Sequence, residues 1–151
     1  MTNPLKVFCC FAHEDREIQK LLIKYLSPLQ RLGQITIWDE NNIGVSVEWE
    51  KELHQHLENA DITLLLISPD FLASDFCYSL LMQRAIERHK QGSTVTLPLI
   101  LRPTYLKNMP FSNLLMLPNN GRPLSKWPDQ DEAFLDILQG IEKIIIELQS
   151  R

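Results

Sequence analysis

The pattern of apolar positions places one buried strand, followed by a helix, at the centre of the chain. Ile62–Ile67 is a short and almost entirely apolar run, which is typical of a strand covered by helices on both faces. Pro69 follows it and has no N–H group to donate to a neighbouring strand. A helical segment comes next, because side chains recur at helical spacing at Tyr78, Met82, Ala85, Ile86 and His89.

Strands and helices alternate along the rest of the chain. Pro28 is expected to kink or end the first helix early, and Pro98 to occupy an edge-facing or bulged position in its strand. Ser46 is a candidate N-cap for the second helix. Further strands are predicted at residues 6–11, 34–38, 94–101 and, as a short last strand, 124–127; helices are predicted from His13 onward, after Ser46 and over residues 131–149.

This alternation predicts an α/β fold with a parallel sheet and right-handed crossovers. We predict a flavodoxin-like three-layer sandwich with a five-stranded parallel sheet of order 2-1-3-4-5 and helices on both faces, formed by residues 1–151 as a single domain. Such sheets bind ligands at the carboxyl ends of the strands, where the strand order reverses. The residues expected to line this crevice are Phe11, Ala12, His13, Trp38, Asp39 and residues 68–70.

Composition narrows the classes of partner. The chain has 151 residues, a formal net charge of -4 and an isoelectric point near 5.5, which argues against nucleic acid as the main partner. No apolar run reaches the roughly 18 residues that a membrane-spanning helix needs, and the first residues lack a signal-peptide core. We therefore expect a cytoplasmic protein without a membrane partner. Its three cysteines are expected to be reduced thiols rather than a disulfide framework.

Several common kinds of active site are absent from the sequence. The five glycines are scattered, so neither a dinucleotide-binding fingerprint nor a P-loop is present, and no GxSxG motif appears. His54 and His56 point to different faces of a helix, so we predict no metal site. Cys10 would need a neighbouring base to act as a nucleophile, and a buried strand cysteine is the favoured interpretation.

Five separated segments carry a resemblance to a known family. They are KVFCCFAHED, ITIWDENNIGVSVEWEKEL, ADITLLLISPDFLASDFCY, LPLILRP and SKWPDQDEAF. In their order and spacing they resemble a bacterial TIR (Toll/interleukin-1 receptor) domain over residues 5–148. The resemblance implies a flavodoxin-like fold. It also implies that residues 39–46 correspond to the BB loop, an interaction segment represented here by Asp39, Asn42, Ile43, Gly44, Val45 and Ser46.

The resemblance implies two kinds of function. Many TIR domains associate with themselves or with other TIR-domain proteins through the BB loop to transmit a signal. Many bacterial members also cleave NAD+ between ribose and nicotinamide, some cyclising the product, and act in antiphage defence. That activity uses a glutamate in the helix after the third strand, where an anion stabilises an oxocarbenium-like transition state.

This sequence departs from the family pattern at the glutamate. Aligning the segment places Leu81 at that position, and a leucine side chain neither accepts a hydrogen bond nor stabilises a cation. Glu87 lies six positions further, about 240° around the helix, so it does not substitute without a large rearrangement. Asp75, before the helix, is the alternative carboxylate.

Three functions remain open at this point. The favoured one is an assembly module in bacterial antiphage signalling, which requires no cofactor and uses Ile43 at the tip of a polar loop; that side chain would otherwise fold back onto the domain. The second is an NAD+ glycohydrolase, in which Trp38 stacks on the nucleotide and Asp75 replaces the glutamate, although Trp38 is also a reasonable core residue. The third is a sensor that binds NAD+ or an ADP-ribose-type ligand and changes its assembly.

Overall fold

The computed structural model describes residues 3–38 and 49–151. Within them, four parallel strands form one sheet in the order β2-β1-β3-β4. The strands are β1 Leu5–Cys10, β2 Ile35–Trp38, β3 Ile62–Ile67 and β4 Val95–Ile100. The helices are α1 Arg16–Arg31, α2 Trp49–Asn59, α3 Pro69–Ala73, a π-helix Phe76–Met82, α4 Gln83–Lys90 and α5 Gln130–Gln149.

Helices cover both faces of the sheet, as predicted. On one face, α1 and α5 pack against alternate residues of β1, including Val7 and Cys9. On the other face, α2, α3, the π-helix and α4 pack against Phe8 and Cys10. All six residues of β3 are buried, because this strand lies inside the sheet and is covered on both sides. In the described part of the chain, no helix combines the length and the apolar character needed to cross a membrane.

The predicted fifth strand over residues 124–127 is wrong, because Leu124–Lys126 forms a 3₁₀ turn. A shorter segment pairs with the outer edge of β4 instead. The Ile100 N–H group donates to the Leu117 carbonyl oxygen at 2.8 Å, and the Leu117 N–H group donates to the Pro98 carbonyl oxygen at 3.0 Å. Pro98 therefore faces the edge of the sheet as predicted, where its missing N–H group interrupts no ladder. Among the described residues the sheet has four strands, and Leu117 forms an isolated bridge.

The prediction that Pro28 ends α1 early is also wrong. The helix continues through Pro28 to Arg31, although proline removes the N–H group that would bond to the Lys24 carbonyl oxygen. The Ser27 hydroxyl donates to that oxygen at 2.7 Å, so the acceptor keeps a partner. The side chain before the proline thus compensates locally for the missing backbone bond.

The helical region after β3 has three parts where the sequence predicts one helix. Ser68 caps α3 by accepting a hydrogen bond from the Phe71 N–H group at 3.1 Å. The chain then forms the π-helix before α4 begins. A wider π-turn shifts the side chains that follow it, and apolar periodicity does not reveal such a shift. The predicted N-cap Ser46 lies outside the described residues.

A buried arginine holds α2 against α4. The Arg88 guanidinium donates to the carbonyl oxygens of Leu57 and Ala60 at 2.6 and 3.2 Å and to that of Ser93 at 3.0 Å. Leu57 and Ala60 lie at the carboxyl end of α2, where carbonyl groups lack helical partners and carry partial negative charge. Arg88 therefore satisfies these acceptors and fixes the orientation of α2 over the sheet.

Candidate functional site at the carboxyl edge of the sheet

A buried carboxylate lies where the strand order reverses, between the carboxyl ends of β1 and β3. Asp15 belongs to the 3₁₀ turn His13–Asp15 that follows β1, and only 3% of it is exposed. Its Oδ2 atom accepts a hydrogen bond from the Ser68 hydroxyl at 2.5 Å. Ser68 directly follows β3 and is fully buried. This hydrogen bond therefore joins two strand ends at the position where α/β sheets commonly bind ligands.

Arg102 extends this contact to β4. Its Nη2 atom donates to Asp15 Oδ1 at 2.9 Å and to Asp70 Oδ2 at 2.5 Å. The Arg102 side chain is 29% exposed, and that of Asp70 is 44% exposed. One guanidinium thus bridges a buried carboxylate on its inner side and a surface carboxylate on its outer side. We call Asp15, Ser68, Asp70 and Arg102 the edge network.

Burial dominates the electrostatics of Asp15. Removal from water raises the pKa of its carboxyl above the ordinary value, while the Ser68 hydrogen bond and the Arg102 charge lower this pKa. Asp70 and Glu14 add a smaller repulsion that also raises it. Desolvation is the largest effect, so the contacts with Ser68 and Arg102 offset only part of the cost of burying the Asp15 carboxylate.

The residues predicted to line the crevice are mostly inaccessible. Phe11, Ala12 and Ser68 are buried, and the Phe11 carbonyl oxygen accepts a contact from the Cys77 thiol at 3.5 Å. His13 is exposed, but its Nδ1 atom lies 3.2 Å from Arg16 Nη2. The structure brings these four residues to one edge of the sheet, where three of them contribute to packing rather than to an open cleft.

Trp38 packs against two other rings. Its ring centroid lies 5.6 Å from that of Phe8 and 4.3 Å from that of His56, with interplanar angles of 20° and 16°. The Trp38 indole is therefore engaged within the domain. The remaining predicted site residues, Asp39, Asn42, Ile43, Gly44, Val45 and Ser46, lie outside the described residues.

Comparison with known proteins assigns the family. A family model described as "TIR domain" matches residues 7–138, which is most of the chain. The chain belongs to the TIR domain family. An uncharacterized protein, y4lF, from Sinorhizobium fredii is 40% identical over 137 residues, which are 91% of this chain and 42% of the relative. The chain thus spans about two fifths of the length of that curated relative.

A solved structure supports the same fold. The crystal structure of the TIR domain of the Toll-related receptor TRR-2 from Hydra magnipapillata superposes with a TM-score of 0.60. The two chains are 23% identical, and the match covers 92% of this chain and 96% of the other. At this level of identity the likeness concerns the fold alone.

The position predicted for the glutamate of TIR enzymes, Leu81, lies in the core. Leu81 is 2% exposed and packs in the cluster that contains Cys10, Ala12 and Met82. The preceding residue, Leu80, is 41% exposed. Both belong to the π-helix, which therefore presents an apolar side chain both inward and outward at this point. A carboxylate would reach the surface from position 80 but not from position 81.

The two carboxylates weighed as substitutes both lie at the surface. Asp75 is exposed and directly precedes the π-helix. Glu87 is exposed on α4 and forms an ion pair with Arg84 at 3.2 Å. Neither belongs to the edge network, in which the acidic residues are Asp15 and Asp70.

Sequence reasoning missed both Asp15 and Arg102 as candidate site residues. A signal for both was available. Asp15, Ser68 and Arg102 each follow closely on the end of a predicted strand, and parallel strands bring such positions to one edge. A search for opposite charges at the ends of the two strands that flank β3 would have paired Arg102, after β4, with Asp15, after β1.

Replacing Asp15 tests the edge network. We expect Asp15→Ala to lower the free energy of unfolding by about 3 kcal/mol, because it leaves Arg102 and Ser68 without their shared partner. Asp70→Ala, at an exposed position, should cost less than about 1 kcal/mol. Urea unfolding of the three proteins gives both values, and equal losses for the two variants would contradict a central role for Asp15.

The same measurement has a defined pH dependence. A carboxyl with a raised folded-state pKa contributes most stability below its unfolded pKa, near pH 4, and this contribution is lost as pH rises through the folded value. The stability of the wild-type protein relative to Asp15→Asn should therefore fall as pH rises from about 4 and then become constant. A difference that increases with pH over this range would mean that ion pairing, not burial, dominates.

Glutamate substitutions test the two apolar positions of the π-helix. We expect Leu81→Glu to lower the free energy of unfolding by about 4 kcal/mol, because it places a carboxyl group in an apolar core. Leu80→Glu should change it by less than about 1 kcal/mol. Urea unfolding distinguishes them. If Leu81→Glu were as stable as the wild-type protein, the core position assigned to this side chain would be wrong.

Proposed function

We propose that this TIR domain is a cytoplasmic assembly module in bacterial antiphage signalling, which associates with itself or with other TIR-domain proteins through its BB loop. The observation that carries this proposal is the edge network, which occupies the carboxyl ends of β1, β3 and β4 in the described part of the chain. Asp15 and Ser68 occupy the point where the strand order reverses, and the π-helix carries the buried Leu81 at the position that the resemblance assigns to the family's glutamate, with the exposed Leu80 before it. A domain of this design is suited to contacts between proteins rather than to cleavage of a glycosidic bond.

Aromatic contacts on both sides of the BB loop support its use as an interaction segment. Trp38, the last residue before it, packs on Phe8 and His56. Trp49, the first residue of α2 after it, stacks on Phe76 with a ring-centroid distance of 5.6 Å. Both ends of residues 39–48 are therefore attached to rigid elements. Contacts that a partner makes with this segment would therefore act directly on β2 and α2.

Catalysis of NAD+ cleavage is the alternative function. It rests on Asp75, an exposed carboxylate that directly precedes Phe76, the residue in contact with Trp49. In this reading Asp75 replaces the family's glutamate beside the BB loop. The Trp38 indole contributes little here, because Phe8 and His56 already pack against it. A nucleotide-binding sensor would use the same neighbourhood without the chemical step.

Substitutions in the BB loop test the assembly function. Ile43→Asp should weaken self-association at least tenfold, because it replaces an apolar contact residue with a charge that must be desolvated. Gly44→Pro should act in the same direction by restricting the backbone. Light scattering over a series of protein concentrations measures the mass, and circular dichroism checks that the fold is retained.

Leu32→Asp is the matched control. Leu32 is 71% exposed at the carboxyl end of α1, so it presents an apolar side chain that the proposal does not use. Its replacement should leave the concentration dependence of the mass unchanged. If Ile43→Asp and Gly44→Pro both behave like the wild-type protein, or if Leu32→Asp alone prevents association, the BB loop is not the interface.

A further inference from the structure

A cavity lies between the edge strand β2 and α2, outside the edge network. Its volume is about 260 Å³, and its walls include Lys6, Thr36, Trp38, His56 and Asn59. Lys6 pairs with Thr36 and Phe8 pairs with Trp38 in the parallel register of β1 and β2. Side chains two positions apart share a face of a strand, so Lys6 and Thr36 lie on the α2 side of the sheet. We call this cavity the β2–α2 groove.

The groove combines ring surfaces with polar groups. The stacked pair of Trp38 and His56, 4.3 Å between ring centroids, forms one wall, and Ala60 supplies further apolar surface. The Thr36 hydroxyl and the Asn59 amide add hydrogen-bonding groups at an exposed rim. Predominantly apolar walls with a few convergent polar groups are characteristic of small-molecule sites.

Lys6 supplies a positive charge at the groove, with the acidic residues Asp61 and Glu52 nearby. Among the described residues its ammonium group takes part in no ion pair. The nearby Asp61 carboxylate instead accepts the Lys6 backbone N–H group at 2.8 Å. Burial lowers the pKa of His56 and Lys6 lowers it further, whereas Glu52 raises it. The imidazole is therefore neutral near pH 7, and the positive charge facing the groove is that of Lys6.

We propose that the β2–α2 groove binds a small planar aromatic anion, whose ring contacts the edges of the Trp38 and His56 rings that line the groove and whose anionic group bonds to Lys6. The volume equals that of about nine water molecules in the liquid, which suits one or two fused rings with a single carboxylate or similar group. We expect a Kd of about 1 mM, at the weak end of the affinity scale. This site is separate from the edge network, and it shares Trp38 and His56 with the contacts that precede the BB loop.

Titration with 1-naphthoate tests the proposal. In ¹H–¹⁵N spectra of the wild-type protein, the Trp38 indole N–H and the backbone amides of Thr36 and Asn59 should shift and saturate at millimolar concentration. Lys6→Met, which keeps the side-chain stem and removes the charge, should raise the Kd at least fivefold. Thr36→Glu, at an exposed position of β2, should abolish the saturable shifts because it adds a negative charge at the rim.

Two controls make the outcome decisive. Lys20→Met removes a lysine from α1 on the opposite face of the sheet and should leave the Kd unchanged. 1-Naphthamide, a neutral compound of the same shape, should bind at least fivefold more weakly. The proposal is overturned if the amide binds as well as the acid or if Lys6→Met has no effect on the Kd. It is also overturned if the shifts never saturate, or if they appear at other residues. Either of these two results would indicate an adventitious additive only.

Discussion

The carboxylate of Asp15 is buried between the ends of β1 and β3, and it remains there because Ser68 and Arg102 engage both of its oxygen atoms. Removing a carboxylate from water costs several kcal/mol, which close hydrogen bonds and an opposite charge must offset. Their contacts connect β1, β3 and β4 at one edge of the sheet. The chain therefore uses the position where such sheets usually bind ligands to hold its own strands together.

The edge network gives the carboxyl edge of the sheet a different character from the surface beside it. At the carboxyl edge, polar groups satisfy one another and the π-helix supplies leucine to the core and to the surface. Beside this edge, Trp38 at the end of β2 packs on Phe8, and Trp49 at the start of α2 stacks on Phe76. Contacts between domains are thus compatible with a rigid sheet, whereas a ligand crevice at the switch point would require the edge network to open. The β2–α2 groove lies outside this network and needs no such rearrangement.

Much of the fold follows from local sequence patterns, and much of the site does not. The bounds of β3 were predictable because its residues are buried on both faces and form a continuous apolar run. The supposed strand at residues 124–127 was too short for periodicity to distinguish it from a 3₁₀ turn. Ser27 compensates for Pro28 through one side-chain hydrogen bond, which propensity does not anticipate.

The contacts of the edge network could not be predicted from local sequence patterns. Asp15 bonds to partners 53 and 87 positions away, so only the order of the strands brings them together. Similarly, the apolar pattern of the sequence predicts one continuous helix after β3 and does not reveal the π-helix that carries Leu80 and Leu81. The sequence shows which residue types follow each strand, but only the order of the strands in the sheet determines which of them pair.

Nicotinamide release from NAD+ by concentrated protein tests the central claim most directly. A domain in which the edge network occupies the switch point, and whose π-helix carries leucine at positions 80 and 81, should release nicotinamide no faster than a blank without protein. Release that increases with protein concentration and disappears in Asp75→Ala would contradict the account and identify the domain as an enzyme.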